Sequence, residues 1–249
     1  MIRTALCLIL FSSLPQWAQA VTCSDQTHEG RSLTVCTADA TKENLRLFLR
    51  DDSGAILGQF RDIERNLEGG KTLAFGMNAG MYHADRSPVG HYVEDGTEEM
   101  RLLTGGSKGN FGLLPNGVLC LKNGSIRVYE TLDFQKQTPS CRDATQSGPM
   151  LVIDGALHPR FLPDSSSRFL RNGVGTSTDG KTAHFVISNE AVTFHEFGRF
   201  FRDVLKTPNA LYFDGKISRL HAPQLGRSDG GFWMGPIIGV VEPKPTVTE

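Results

Sequence analysis

Asn116-Gly117-Val118-Leu119-Cys120-Leu121-Lys122-Asn123-Gly124-Ser125-Ile126-Arg127-Val128-Tyr129 is the stretch that sets the fold class. Two short runs rich in β-formers, 118–121 and 126–129, flank Asn123-Gly124. An Asn-Gly pair tolerates the positive φ angles of a tight primed turn, whose twist matches the strands on either side. The stretch therefore reads as a β-hairpin. The same punctuation recurs at Asp95-Gly96, Asp154-Gly155, Asp179-Gly180 and Asp214-Gly215, and Asn116-Gly117 opens the quoted run. Further runs of β-forming residues predict strands over 45–50, 73–77, 150–153, 183–187, 210–213 and 237–241. One helix stands out. Thr193 and Glu196 have capping-box spacing, Phe197, Phe200, Phe201, Val204 and Leu205 trace an apolar face, and Pro208 stops it. A shorter helix is expected over 63–67. Many strands with few helices predict an α+β fold, a single domain with a mixed or antiparallel β-sheet core.

The ends of the chain and its cysteines point to export. Met1-Ile2-Arg3, an apolar run over 5–14 and Ala18-Gln19-Ala20 read as a signal peptide over 1–20, leaving a domain over 21–249. The apolar run is short for a bilayer span, so no stable membrane insertion is expected. Residues 242–249 carry two prolines and read as a loose tail. Cys7 leaves with the leader, and Cys23, Cys36, Cys120 and Cys141 remain, an even set suited to an oxidising compartment. Three pairings are possible. Cys23–Cys36 and Cys120–Cys141 are favoured, since each closes a modest loop between neighbouring strands. A periplasmic or secreted location follows as an expectation. Losing Arg3 with the leader moves the formal charge from −1 to −2. With no basic run, nucleic acid is not an expected partner. The sequence carries no signal for oligomeric state.

Four segments join a strand end to polar and small residues: Asn78-Ala79-Gly80-Met81-Tyr82 with His83, Gly109-Asn110-Phe111, the pair Gln146/Arg171 with their neighbours, and Asn209 through Asp214-Gly215. Strands that each end in a polar group can aim those groups into one cleft. Arg171, beside an Asn172-Gly173 turn, suits an anion because its fork matches phosphate or carboxylate oxygens. Its bland alternative is an ion pair with Asp154 or Asp164. Glu190 is a second candidate carboxylate, and His83, His158 and His221 read as surface histidines. Several chemistries are disfavoured. No C-x-x-C occurs, and His195-Glu196 lacks the second histidine of a zinc-protease helix. Gln146-Ser147-Gly148-Pro149 is not a nucleophile elbow, and 105–109 lacks P-loop spacing.

These blocks resemble the phosphodiester glycosidase family, whose animal member, the uncovering enzyme of lysosomal targeting, removes N-acetylglucosamine from a mannose-6-phosphate diester. The resemblance, closest to a bacterial exported branch, lies in Asn78-Ala79-Gly80-Met81-Tyr82, Ser87-Pro88-Val89-Gly90, Pro115-Asn116-Gly117-Val118, Ala144 to Leu151, Arg171 to Gly175 and Asn209 to Gly215. It covers nearly all of the chain after the leader. It implies a hydrolase that cleaves a sugar-1-phosphodiester, and a small-molecule or glycan substrate bearing that group. In this reading Arg171 holds the phosphate, Asp214 activates water or stabilises the positive sugar, and Asn78, Gln146 and Ser147 fix hydroxyls or phosphate oxygens. Asn172, Gly148, Asn110, His83 and Gly215 complete the substrate contacts. No cofactor is expected, with a divalent cation between Asp214 and phosphate left open. One departure stands out: the family often shows Asp-Gly-Gly-Gly-Ser where this chain has Asp214-Gly215-Lys216-Ile217-Ser218. It motivates a second expectation, a non-catalytic periplasmic protein that binds a glycan or phosphosugar.

Overall fold

In a computed structural model of the chain, residues 21–106, 109–214 and 217–244 are described. The expected leader, Gly215 and Lys216 lie outside the described residues. Short β-forming runs joined by tight turns can pair only with antiparallel neighbours, because a parallel return needs a long crossover. All pairings between the named strands are indeed antiparallel, in three sheets. The seven-stranded sheet has the order Val21–His28, Arg31–Asp39, Thr182–Ser188, Asn172–Thr176, Asn209–Asp214, Met150–Ile153 and Ala156–Leu157. The second sheet runs Arg227–Ser228, Leu220–Ala222, Lys71–Asn78, Ile237–Pro243 and Asn44–Phe48. The third runs Thr97–Met100, Tyr92–Glu94, Asp143–Ser147, Gly117–Lys122 and Ser125–Glu130.

Strand alternation decides what goes where. In Thr182–Ser188, Phe185 and Ile187 face a central core that all three sheets share, while Val186 faces away from it. That core also takes Leu47, Phe75 and Ile238 from the second sheet and Leu119, Ile126 and Val128 from the third. Each outer face is then covered by one helix. Phe194–Arg199, continued by a π-helical turn over Phe200–Val204, buries Phe197, Phe200 and Phe201 against the first sheet. Phe60–Asn66 covers the second sheet with Phe60 and Ile63, and Thr131–Gln137 covers the third with Phe134. The capping box at Thr193 and Glu196 forms as expected, with both reciprocal bonds made.

Both expected disulfides are present. Cys23–Cys36 joins directly opposed residues of the first hairpin, and Cys120–Cys141 ties a strand of the third sheet to the segment before Asp143. Among the described residues no helix is long and apolar enough to cross a membrane.

Two expectations are corrected. Asn172-Gly173 is not a turn: Asn172–Thr176 is a strand in the interior of the first sheet. Its glycines admit protein, not ligand. A Cβ at Gly173 would fall 2.5 Å from the Leu211 carbonyl oxygen, and one at Gly175 would meet Thr207 at 2.6 Å and Phe201 at 2.8 Å. Asn116-Gly117 likewise opens a strand, and Gly117 admits Met150 and the Tyr129 carbonyl. The Thr131–Gln137 helix shows no sequence stripe, since it buries only Thr131 and Phe134; Glu130 caps it by accepting from the N–H groups of Leu132 and Asp133.

Candidate functional site

The three sheets meet where four strands begin or end: Asn78, Ser147, Asn172 and Asp214 are all terminal residues. Backbone groups at such a junction run out of ladder partners, and side chains that donate and accept must replace them. Asn172 accepts from the Asp214 N–H at 3.0 Å through Oδ1 and donates to the Asn78 carbonyl at 3.4 Å through Nδ2. Asn78 accepts from the Arg219 N–H at 2.8 Å and donates to the Ile217 carbonyl. Ser147 donates to the Phe213 carbonyl at 2.9 Å, and Thr145 to the Ala79 carbonyl at 2.7 Å. Asn78, Ser147 and Asn172 are thus buried clamps between sheets. Asp214, partly exposed, is what they position. Ser218 donates to its carbonyl at 2.9 Å.

Arg171 follows a different logic. It is 1% exposed. Nε donates to the Val192 carbonyl at 2.9 Å and Nη2 to the Ser167 carbonyl at 3.1 Å, while Nη1 has no partner. Among the described residues no carboxylate lies within 4.0 Å of it, so neither Asp154 nor Asp164 is its counter-ion. Aromatic faces take that place. The guanidinium carbon lies 3.7 Å from the Phe194 ring centroid and 5.5 Å from those of Phe169 and Tyr212. Phe194 stacks in turn on Phe161 at 5.1 Å, and Phe161 on His158 at 4.8 Å. Burial holds the guanidinium below its ordinary pKa, with Tyr212 opposing the shift. The open, two-pronged fork expected from the sequence is therefore corrected to a buried guanidinium held by the Val192 and Ser167 carbonyls with the Tyr212 side chain beside it.

Tyr212 links the two groups. It lies two residues from Asp214 on one strand, across a β-bulge. Burial drives its hydroxyl upward; the Arg171 charge opposes this, the Asp214 charge reinforces it, and the Asn110 side chain bonds to it. Burial also pushes Tyr82 up to about 12, with the Asp214 charge contributing. Both phenols are proton donors at neutral pH. A cleft of ≈ 410 Å³ opens alongside, lined by Leu170, Ser188, Asn189, Ser218, Arg219 and Asp229 among others.

The remaining candidates fall elsewhere. Gln146 is buried, and its amide accepts from the N–H groups of His91 (3.0 Å) and Leu103 (3.1 Å) and donates to the Leu103 carbonyl (2.6 Å) and Thr131 (3.2 Å). That fills its hydrogen-bonding capacity, so it braces a loop. Gly148 sits where a Cβ would fall 2.5 Å from Asn116 Cβ. His83 is exposed in a turn closed by its N–H to the Ser87 carbonyl. Glu190 is bound to Arg31 and the Ser32 N–H. His158 is buried and His221 bonds to the Leu73 carbonyl and Ser228, so only His83 of the three is a surface histidine. Tyr82 and Tyr212 sat inside the quoted blocks, but nothing in their spacing separated them from core aromatics. Among the described residues no three His, Cys, Asp or Glu side chains converge as a metal site.

The phosphodiester glycosidase family model matches residues 71–220. The chain belongs to the phosphodiester glycosidase family. The matched span includes Asn78, Ser147, Arg171, Asn172 and Asp214. An uncharacterised Escherichia coli (strain K12) protein, YigE, is 29% identical over 204 residues, covering 81% of this glycosidase-family chain and 80% of the relative. The catalytic domain of zebrafish N-acetylglucosamine-1-phosphodiester alpha-N-acetylglucosaminidase, auto-inhibited by its pro-peptide, superposes with a TM-score of 0.60 at 12% identity, over 88% of this chain and 81% of that one. A hypothetical protein from Synechocystis gives 0.59 at 12% identity, over 90% and 62%. At such identities these structures show a shared fold.

Proposed function

We propose that this chain is an exported hydrolase that cleaves the glycosidic bond of a sugar-1-phosphodiester, releasing free sugar and a phosphomonoester. The observation that carries the reading is the partly exposed Asp214 at the junction of the three sheets, on one strand with Tyr212, whose ring lies 5.5 Å from the guanidinium carbon of Arg171, a cation with no carboxylate partner among the described residues. Water adds to the anomeric carbon, the carbon–oxygen bond to phosphate breaks, and its electron pair leaves on the phosphate oxygen. Phosphate is already a good leaving group, so the reaction asks less for a general acid than an ordinary glycoside does. It asks for anion stabilisation and for a carboxylate beside an oxocarbenium-like centre. The buried Arg171 charge favours the phosphate anion from behind the Tyr212 ring, and Asp214 takes the proton of water. The two disulfides support a compartment outside the reducing cytoplasm.

The test is product analysis on N-acetylglucosamine-1-phosphodiesters and nucleotide sugars, with and without added divalent cations. Free sugar with an intact phosphomonoester is the expected result. Sugar-1-phosphate as product would place the break at the wrong bond. Saturable binding without product would assign the chain to the second reading, a phosphosugar-binding protein, which the Lys216 and Ile217 departure favours.

A further inference from the structure

Phe232 is 78% exposed and its neighbour Trp233 48%, consecutive large aromatics held in water. Such exposure on a soft loop would carry little meaning, but this loop is built. Arg219, 5% exposed, donates through Nε and Nη2 to the Asp229 carbonyl (3.0 and 2.6 Å), through Nη1 to the Phe232 carbonyl (2.6 Å) and through Nη2 to Gln59 (2.8 Å). Gln59 returns a bond to the Gly231 carbonyl at 3.0 Å, and the Met234 N–H donates to the Gly58 carbonyl at 2.9 Å. Asp229 accepts from the Leu220 N–H at 2.9 Å and is paired with Arg227. Two buried polar side chains thus hold the backbone that presents the rings.

The rings are also oriented. A Cβ at Gly58 would fall 2.8 Å from Trp233 Cε3, so the indole packs against the bare Gly58 backbone. A Cβ at Gly235 would meet the Tyr82 side chain at 2.5 Å, and the Tyr82 hydroxyl donates to the Trp233 carbonyl at 3.4 Å. Asp229 and Gly230 of this loop line the same cleft as Ser218, whose hydroxyl donates to the Asp214 carbonyl at 2.9 Å, so the loop borders the candidate carboxylate. A pyranose has one apolar face of C–H groups, which packs on an aromatic face, and a rim of hydroxyls that needs fixed donors and acceptors. Trp233 and Phe232 offer the first; the Arg227–Asp229 pair beside them offers the second.

We infer that residues 229–235 form a carbohydrate platform that binds the sugars of a glycan chain adjoining the bond cleaved at Asp214. The substrate class becomes a phosphodiester carrying an oligosaccharide, and only the placement of the cleaved bond rests on the function proposed above. Trp17 lies in the expected leader, so in the protein over 21–249 Trp233 is the single tryptophan and its fluorescence reports on the loop alone. This protein is titrated with soluble chito-, malto- and cello-oligosaccharides of increasing length. Affinity for at least one series should rise about tenfold from monosaccharide to tetrasaccharide. Phe232→Ala should abolish the rise and Phe232→Tyr should keep it, with thermal melts showing both folded. Absence of binding in every series, affinity independent of length, or a fluorescence shift with phosphatidylglycerol vesicles but no oligosaccharide would each overturn the platform. Length-dependent binding in a protein that hydrolyses no phosphodiester keeps the platform and removes the hydrolase. Hydrolysis of short phosphodiesters without any length dependence does the reverse.

Discussion

Arg171 and Arg219 are both almost fully buried, and burial depresses the pKa of both, yet they are used in opposite ways. Arg219 directs all of its nitrogens to fixed oxygens of the 229–234 loop and Gln59. Arg171 leaves Nη1 without a partner and rests its face on Phe194. Buried donors are almost always satisfied, and a buried charge without a counter-ion is costly. The comparison teaches that two buried arginines can differ in what they hold: Arg219 is saturated by the fold, whereas Arg171 keeps one nitrogen unmatched.

The largest effect expected concerns the acid that Arg171 accompanies. Asp214→Asn should lower turnover of a cleaved phosphodiester by about 10²–10⁴ with thermal stability retained, and near-normal turnover would remove Asp214 from the chemistry. Next, Arg171→Met should lower turnover by about 10²–10³, as loss of one charge-stabilising donor does. Its effect on stability should stay under about 1 kcal/mol, because no ion pair is broken and the Val192 carbonyl keeps the Phe169 N–H. Arg219→Met should invert that pattern. Denaturant unfolding should show a loss of about 3 kcal/mol or more, since the buried Gln59 amide and two part-buried loop carbonyls lose their donor at once. If the two arginine variants behaved alike, the contrast would be broken.

A half-buried carboxylate sharpens the same point. Burial raises Glu94 to about 7, with Asp143 and Asp95 adding to the shift and the Tyr92 hydroxyl and Arg46 opposing it. Its folded value lies above the unfolded one, so the folded state binds the extra proton, and this contribution to stability is lost as pH rises from about 4.5 through 7. Glu94→Gln should therefore flatten the stability profile over that window by up to about 3 kcal/mol, measured by urea melts at several pH values. The smallest effect tests backbone approach. Gly173→Ala should cost about 1–3 kcal/mol by overpacking, because the Leu211 carbonyl has no room to yield within the sheet. An unchanged unfolding midpoint would show that the strand relaxes.

The local elements were legible because their causes are local. Asn123-Gly124 makes its hairpin from two residues, and Thr193 and Glu196 make their capping box from four consecutive positions. The cysteine pairs were legible for a related reason, being close in sequence. Asn78, Arg171, Asn172 and Asp214 were legible as candidates through the family blocks that contain them. Their roles were not. Asn172 and Gly173 have turn composition, and only the register with Asp214, Tyr212 and Leu211 makes them a strand. Gln146 looked like a ligand contact, but its partners His91, Leu103 and Thr131 come from other segments; His158 looked like a surface group and is buried.

By itself, then, the sequence determined the β-rich elements, the disulfide framework, the capped helix and the blocks shared with phosphodiester glycosidases. The tertiary structure decided which polar groups are already committed to the fold and which remain for chemistry. The physical reason is that a side chain has a fixed number of donors and acceptors. Whether they are filled depends on neighbours far along the chain, as between Asn78 and Arg219, 141 residues apart.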